Sequence, residues 1–404
     1  MTIEEIQFDP SPARLADLRQ RVANAHLPHD FANADWSYGM NGDVLRDLLD
    51  YWRDGYDWDG QQRAINSFKH HRVTIDDVPV HFIREPGRGP APMPIILSHG
   101  WPWSFWDLHR VIRPLADPAA FGGDPADAFE VIVPSMPGFG LSTPLTRTGI
   151  NFWSTADLWH KLMTQALGFP RYAAQGGDWG ALTTMQLGHK YAGELHGVHI
   201  STIAPLTLFN HERPWDVTAG NLAPKDLPES ERRAFLDWQA RIAAHVCVQV
   251  LDPQTLAYAL HDSPVGLLAW LVERRHSWGD CREGLYAAFD RDFLITTAMI
   301  YWLTDSFVTS ARFYAEAARN PWQPSHTLSP MVQAPTGISH FTHDGTTGLG
   351  KGSGGLFNLT FERRHDRGGH FAPIEVPDII IEDVRAMFRP MRQSWRIMSP
   401  PSRF

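Results

Sequence analysis

Three stretches of the chain carry side chains that could attack carbon or move protons. The first is Gly176-Gly177-Asp178-Trp179-Gly180, which follows the apolar run Tyr172-Ala173-Ala174 and precedes the helix-like run Ala181 to Leu187. A strand, a glycine-flanked turn and a helix form the setting of a nucleophile elbow. Small residues two before and two after the centre let backbone pass close at a sharp turn. A carboxylate at that centre attacks carbon and leaves an alkyl ester, so Asp178 narrows the chemistry. The second stretch is Arg367-Gly368-Gly369-His370-Phe371-Ala372, a late glycine-rich loop that opens the helix-like run Ile379 to Phe388. His370 there suits a general base. His365 competes with it, but its place inside a strand-like run reads as structural or surface. The third is His340-Phe341-Thr342-His343-Asp344-Gly345, where Asp344 follows a strand-like run and could orient the imidazole and stabilise the imidazolium. Asp305 and Asp366 are alternatives, read as solvated or capping residues. His99-Gly100-Trp101-Pro102 adds a loop whose Trp101 amide, with that of Trp179, would form an oxyanion hole.

Elements must hold these groups together. From Pro94 onward short apolar runs alternate with longer helical ones, which predicts an α/β fold with a parallel sheet. The predicted strands are Pro94 to Leu97, Phe129 to Val133, Tyr172 to Ala174, Gly197 to Ile200, Pro335 to Ile338 and one near Leu359 to Arg363. Between residues 205 and 325 the strand rhythm stops and the chain reads as helical and aromatic-rich, with Trp215, Trp238, Trp270, Trp278 and Trp302. An insertion of that size predicts a lid over the carboxyl edge of the sheet. Residues 1–90 read as a leader. It contains helical spacing at Leu15, Leu18 and Val22 and from Val44 to Trp52, then a hairpin of Val73 to Ile75 and Val78 to Ile83 joined at Asp76-Asp77. The core is then 91–204 with 326–404, and the lid 205–325.

Composition excludes several classes of function. The 404 residues are 43% hydrophobic and 20% charged, an ordinary globular balance, and the net charge of -9 gives no reason to expect nucleic acid or an anionic membrane. Cys247 and Cys281 are the only cysteines, so no disulfide framework is implied. With no signal-like N-terminus and no apolar run of about 18 residues, the expectation is a soluble cytoplasmic protein. The pair His70-His71 has no third ligand nearby, so no metal is expected. Most of the 16 tryptophans are expected in the core, although aromatic-lined surfaces would use them too.

Taken together, these phrases resemble the microsomal-type epoxide hydrolases, including their soluble bacterial members. The resemblance runs from Leu48-Leu49-Asp50-Tyr51-Trp52-Arg53 and Val80-His81-Phe82-Ile83, through His99 to Phe105, Pro137-Gly138-Phe139-Gly140-Leu141-Ser142 and the elbow. It continues through Asp262-Ser263-Pro264-Val265-Gly266, Arg312-Phe313-Tyr314 and Pro335-Thr336-Gly337 to the His370 loop. It implies an α/β-hydrolase fold with a mostly parallel sheet, a helical lid and an N-terminal extension. It also implies a two-step hydrolysis without cofactor. Asp178 would open the epoxide, and His370, oriented by Asp344, would activate water against the ester.

The family uses two lid tyrosines as ring-opening donors. One corresponds to Tyr314. Counting back without gaps from Asp262, the other position holds His245, which either donates to the epoxide oxygen or only lines the lid. Asp344 stands where the family usually has glutamate. Trp103 stands for the usual glycine and is expected to reshape the entrance. The implied substrate is a hydrophobic or aromatic epoxide, met in detoxification or secondary metabolism, with water as co-substrate; a homo-oligomer is open. A haloalkane dehalogenase shares the aspartate elbow but needs halide-binding N–H donors, and a non-catalytic binding protein would not require the Asp178, His370 and acid set.

Overall fold

The computed structural model describes residues 1–210, 228–346 and 355–398, with side chains to 392. Nine strands form one sheet: β1 (Glu4–Ile6), β2 (His70–Ile75), β3 (Val78–Glu85), β4 (Met93–Ser98), β5 (Phe129–Pro134), β6 (Tyr172–Gly176), β7 (Leu195–Ile200), β8 (Val332–Phe341) and β9 (Phe357–His365). Their order is β1-β2-β3-β5-β4-β6-β7-β8-β9. Strands β4 to β9 run parallel, and β1, β2 and β3 add antiparallel pairings, β3 against β5. The central strands are apolar and buried on both faces, as helices packed on each side require: β6 and β7 are buried at every position. All six predicted core strands form, each longer by one to several residues.

Residues 70–85 are tied into the core sheet. Their hairpin turns at Asp76 and Asp77, both with positive φ (49° and 62°), which matches the right-handed twist of two-residue hairpins. That hairpin then extends the core sheet through Phe82↔Pro134 to Glu85↔Val131. His70 is a core residue of β2: its Nδ1 bonds His81 Nε2 at 2.9 Å and its Nε2 the Ile65 carbonyl at 2.9 Å. Helices α1 (Pro12–Ala23), α2 (Gly42–Asp54) and α3 (Trp58–Ile65) complete the leader; β1 and α3 carry too few periodic residues to be read from sequence.

The remaining helices include α4 (His109–Ala116), α5 (Phe152–Lys161) and α6 (Trp179–Lys190) in the core. Between β7 and β8 come α7 (Glu229–Leu251), α8 (Pro253–Asp262), α9 (Pro264–Trp278), α10 (Leu285–Ala288), α11 (Arg291–Leu303) and α12 (Phe307–Arg319). Helix α1 packs on α9, and α2 and α3 pack on α11, so leader and inserted helices brace each other. Trp215 lies outside the described residues. After β9 come α13 (Ala372–Glu375) and α14 (Pro377–Met398). Among the described residues no helix is long and apolar enough to cross a membrane. The strand order doubles back at β4, which lies between β5 and β6. A crevice opens at the carboxyl ends of strands at such a switch point.

Candidate active site

The loop after β4 and the turn after β6 meet because these strands are sheet neighbours, paired up to Ser98↔Gly176. Their approach demands glycine. A Cβ on Gly180 would enter the Ser98 carbonyl, and one on Gly100 would enter the Asp178 side chain. Asp178 itself takes φ 53° and ψ −127°, a conformation costing on the order of 1–3 kcal/mol for a residue with a side chain. The Trp101 amide donates to Asp178 Oδ1 at 2.7 Å, and the Asp178 amide donates to Thr202 Oγ1 at 3.1 Å. The Trp179 amide opens α6 and has no acceptor within the helix. Asp178 Oδ2 faces His370, whose Nε2 is 3.4 Å away, a charge contact rather than an aligned hydrogen bond.

His370 arrives from the loop between β9 and α13. Its Nδ1 lies 3.2 Å from Asp344 Oδ1 and 3.1 Å from Thr346 Oγ1. The Thr346 hydroxyl gives its own proton to Asp344 Oδ1 at 2.7 Å, so it can only accept from the imidazole. Nδ1–H is therefore fixed by two acceptors, which leaves Nε2 for the reacting groups. The rings of Trp103 and Trp278 stand edge-on to His370 at 5.6 and 5.3 Å. Burial disfavours the imidazolium, but Asp344 and then Asp178 outweigh it and push His370 up to about 10. The resting site holds a cation between two carboxylates.

Opposite this pair stand Tyr314 on α12 and His245 on α7, both buried. The Tyr314 ring is edge-on to Trp179 at 4.7 Å and to Trp101 at 5.9 Å. His245 stacks on Trp101 at 5.2 Å with 4° between planes, and its ring centre is 5.4 Å from that of Tyr314. Burial, reinforced by the Asp178 charge, raises the Tyr314 phenol well above 10, so it keeps its proton. Burial, reinforced by Arg274 and His370, lowers His245 well below 6.5, so the imidazole is neutral and carries a single N–H. Among the described residues no hydrogen-bond partner meets its Nδ1.

Asp178, His370, Asp344, Tyr314, His245, Trp101 and Trp179 thus share one site. The two alternative acids do not reach it: Asp305 pairs with Arg14, and Asp366 is exposed beyond β9. His365 bonds Asp383 Oδ2 at 2.6 Å, tying β9 to α14. One expectation is corrected. Trp103 does not border an entrance but is fully buried, packed beneath His370 with its ring tip over Gly177, where a Cβ would come within 2.8 Å. The missing side chain of Gly177 makes the room for the indole. His99 is also structural: its Nε2 accepts from the Met136 amide at 3.0 Å, and burial pushes it down to about 4.

Three contributors escaped the sequence reading. Thr202 holds the elbow amide and Trp278 walls the site, and neither has a local signal. Thr346 had one, because Asp344 followed two residues later by a threonine is the pattern of a side chain capping its own turn; the Thr346 amide donates to Asp344 Oδ1 at 2.8 Å.

Comparison with known proteins places this geometry in a family. The signature described as epoxide hydrolase N terminus matches residues 3–108, and that of the alpha/beta hydrolase fold matches residues 93–377. A Stigmatella aurantiaca protein whose name provisionally assigns it as an epoxide hydrolase is 35% identical over 94% of this chain and 83% of its own. Epoxide hydrolase 1 of Oryctolagus cuniculus is 31% identical over 95% of this chain and 88% of its own. Among solved structures, juvenile hormone epoxide hydrolase from the silkworm Bombyx mori superposes with a TM-score of 0.77 at 26% identity, covering 97% of this chain and 94% of its own. Aspergillus niger epoxide hydrolase shares the fold with a TM-score of 0.78 at 24% identity, over 97% of both chains. The chain belongs to the epoxide hydrolase family, hydrolases built on the α/β-hydrolase fold.

Proposed function

We propose that the protein converts a hydrophobic or aromatic epoxide to a vicinal diol through an ester on Asp178. The observation that carries this reading is a carboxylate at the strained elbow, with Oδ1 held by the Trp101 amide and Oδ2 in contact with His370. In the first step Oδ2 attacks a ring carbon. The C–O bond breaks, and Tyr314 protonates the departing oxygen, assisted by the N–H of neutral His245. Ring opening turns the carboxylate into a neutral ester. His370 then loses one of the two anions that hold its proton, so its affinity for that proton falls and the proton passes through solvent to the phenolate left on Tyr314, which restores the phenol. As a neutral base it takes a proton from water, which adds to the ester carbonyl. The amides of Trp101 and Trp179 receive the oxyanion, and collapse releases the diol and restores Asp178. The second hydroxyl oxygen of the diol is the former Asp178 Oδ2, and the oxygen of water takes its place in the restored carboxylate, so the atoms balance without cofactor.

The same proposal divides the chain into a leader (1–90), a core (91–204 with 326–404) and a lid (205–325), supported by the run of helices between β7 and β8. It includes a cytoplasmic location, supported by the unpaired state of Cys247 and Cys281. The test is a His370→Gln variant incubated with racemic styrene oxide and analysed by mass spectrometry. A stable adduct on the Asp178 peptide is expected, with no diol formed. Diol formed at the wild-type rate, or no adduct while wild type is active, would overturn the covalent route.

A further inference from the structure

The His370 loop has all four of its successive backbone amides occupied. Gly368 donates to Asp280 Oδ2 at 3.1 Å and Gly369 to Glu375 Oε2 at 3.0 Å. His370 donates to the Trp278 carbonyl at 3.1 Å and Phe371 to Glu375 Oε1 at 2.7 Å. Glu375 therefore grips the residue before and the residue after the base, one with each carboxylate oxygen. The Glu375 Oε2 also accepts from the Asp280 amide at 2.6 Å. Asp280 lies just past α9, and the Trp278 carbonyl also accepts from Gly345, next to Asp344, at 3.1 Å. One carboxylate thus joins the base loop to the end of a lid helix, and that helix end joins the base loop to the acid loop.

We propose that Glu375 is a positioning residue for water activation, fixing His370 relative to the ester and coupling that placement to the lid through Asp280. This inference rests on the two-step reading above. The chemistry fits an anion. Three N–H donors converge on it, and a carboxylate is the side chain that accepts at both oxygens while donating at neither. Burial works against the charge and pushes Glu375 up to about 7, while the donated amide bonds from Asp280 and Phe371 pull it down. There is no slack on the lid side. A Cβ on Gly369 would come within 2.6 Å of the Asp280 nitrogen, so the two segments already touch.

The two chemical steps depend on this clamp differently. Alkylation needs Asp178 Oδ2 and the donors opposite, none of which Glu375 touches. Hydrolysis needs Nε2 aimed at a water poised against the ester carbonyl, and small misplacements of a catalytic group there cost large factors in rate.

The experiment is quench-flow mass spectrometry of the full chain with racemic styrene oxide, following the appearance and decay of the Asp178 adduct. In Glu375→Gln the amide end must face an N–H donor, so one grip is lost. Adduct decay is expected to slow at least tenfold while adduct formation stays within about threefold. Glu375→Asp keeps the charge but shortens the reach, and a smaller slowing of the same step is expected; it carries the test if Glu375→Gln does not fold. A purely structural role would lower the active fraction and leave both rates of the remaining molecules unchanged. That result, or an equal fall in both rates, overturns the proposal. Failure of the wild type to form any adduct while turning over would instead overturn the covalent reading itself.

Discussion

Replacing Asp178 by asparagine discharges the elbow without changing its shape, so it stands in for the neutral ester. The nearest distance from the carboxylate to the His370 ring nitrogen is 3.4 Å. At an effective dielectric of about 20, a unit charge at that distance contributes about 5 kcal/mol, or roughly three and a half pH units. That is comparable to the whole rise of His370 from its ordinary 6.5 to about 10, to which Asp344 also contributes and which burial opposes. The sign follows directly: removing an anion beside a cation makes the cation easier to deprotonate. Asparagine adds to the effect, because with its carbonyl on the Trp101 amide it turns an N–H donor toward Nε2. His370 of Asp178→Asn is therefore expected to titrate at least about two pH units below the wild type. The assay is NMR titration of histidine-labelled protein, with the resonance picked out of 20 histidines by its absence in His370→Gln. Titration of His370 in Asp178→Asn within half a unit of the wild type would refute the argument that ester formation releases the base. The same argument predicts that hydrolysis of the alkyl-enzyme in single turnover rises with pH to a plateau well below pH 10.

Other expectations concern the opposite wall and the anchor of α9. Tyr314→Phe should slow adduct formation about 10²- to 10⁴-fold while leaving adduct decay near the wild-type rate, and unchanged single-turnover alkylation would remove Tyr314 from the chemistry. His245→Phe, in the same assay, should slow alkylation less than Tyr314→Phe if the neutral imidazole is an assisting donor; no slowing would reduce it to a wall residue. Arg275 on α9 is buried, pairs with Asp107 at 2.5 Å and donates to the Pro102 carbonyl at 3.0 Å. Arg275→Met leaves a fully buried carboxylate unpaired and should cost about 3–5 kcal/mol in chemical denaturation, a loss that a second change of Asp107 to Asn should partly restore. A wild-type midpoint for the single variant would count against the ion pair as the anchor of α9.

Much of this site was legible in the chain because its chemistry is local. The elbow needs its glycines at fixed offsets, His370 opens a helix from a glycine-rich loop, and Asp344 ends a strand; each is visible within a few residues. The core strands were legible for a related reason, since burial on both faces writes unbroken apolar runs. What escaped depends on contacts across the chain. Trp103 reads as an obstruction until Gly177, far along the sequence, is seen to leave it a seat. That the hairpin of β2 and β3 joins the core sheet is not visible locally, because its pairing with β5 skips β4. Glu375 has no local signal, since its partners at Asp280, Gly369 and Phe371 come from two loops that meet only in the fold. His245 was placed by counting from a neighbouring phrase, yet its neutral state follows only from its burial against Trp101.

The order in which the leader joins the sheet has a consequence for how the protein keeps to itself. Strand β5 is apolar and buried along Val131 to Val133, and on one side its backbone is covered only by β3. An uncovered edge of that kind recruits strands from other chains. The leader hides it and moves the boundary outward to β1, three residues long, where Glu4 meets Arg72 and Glu5 meets Lys69. The far boundary, β9, carries Glu362, Arg363 and Arg364 along its exposed length. Both ends of the sheet finish in charge, so aggregation is discouraged at the margins while the middle stays free to be greasy.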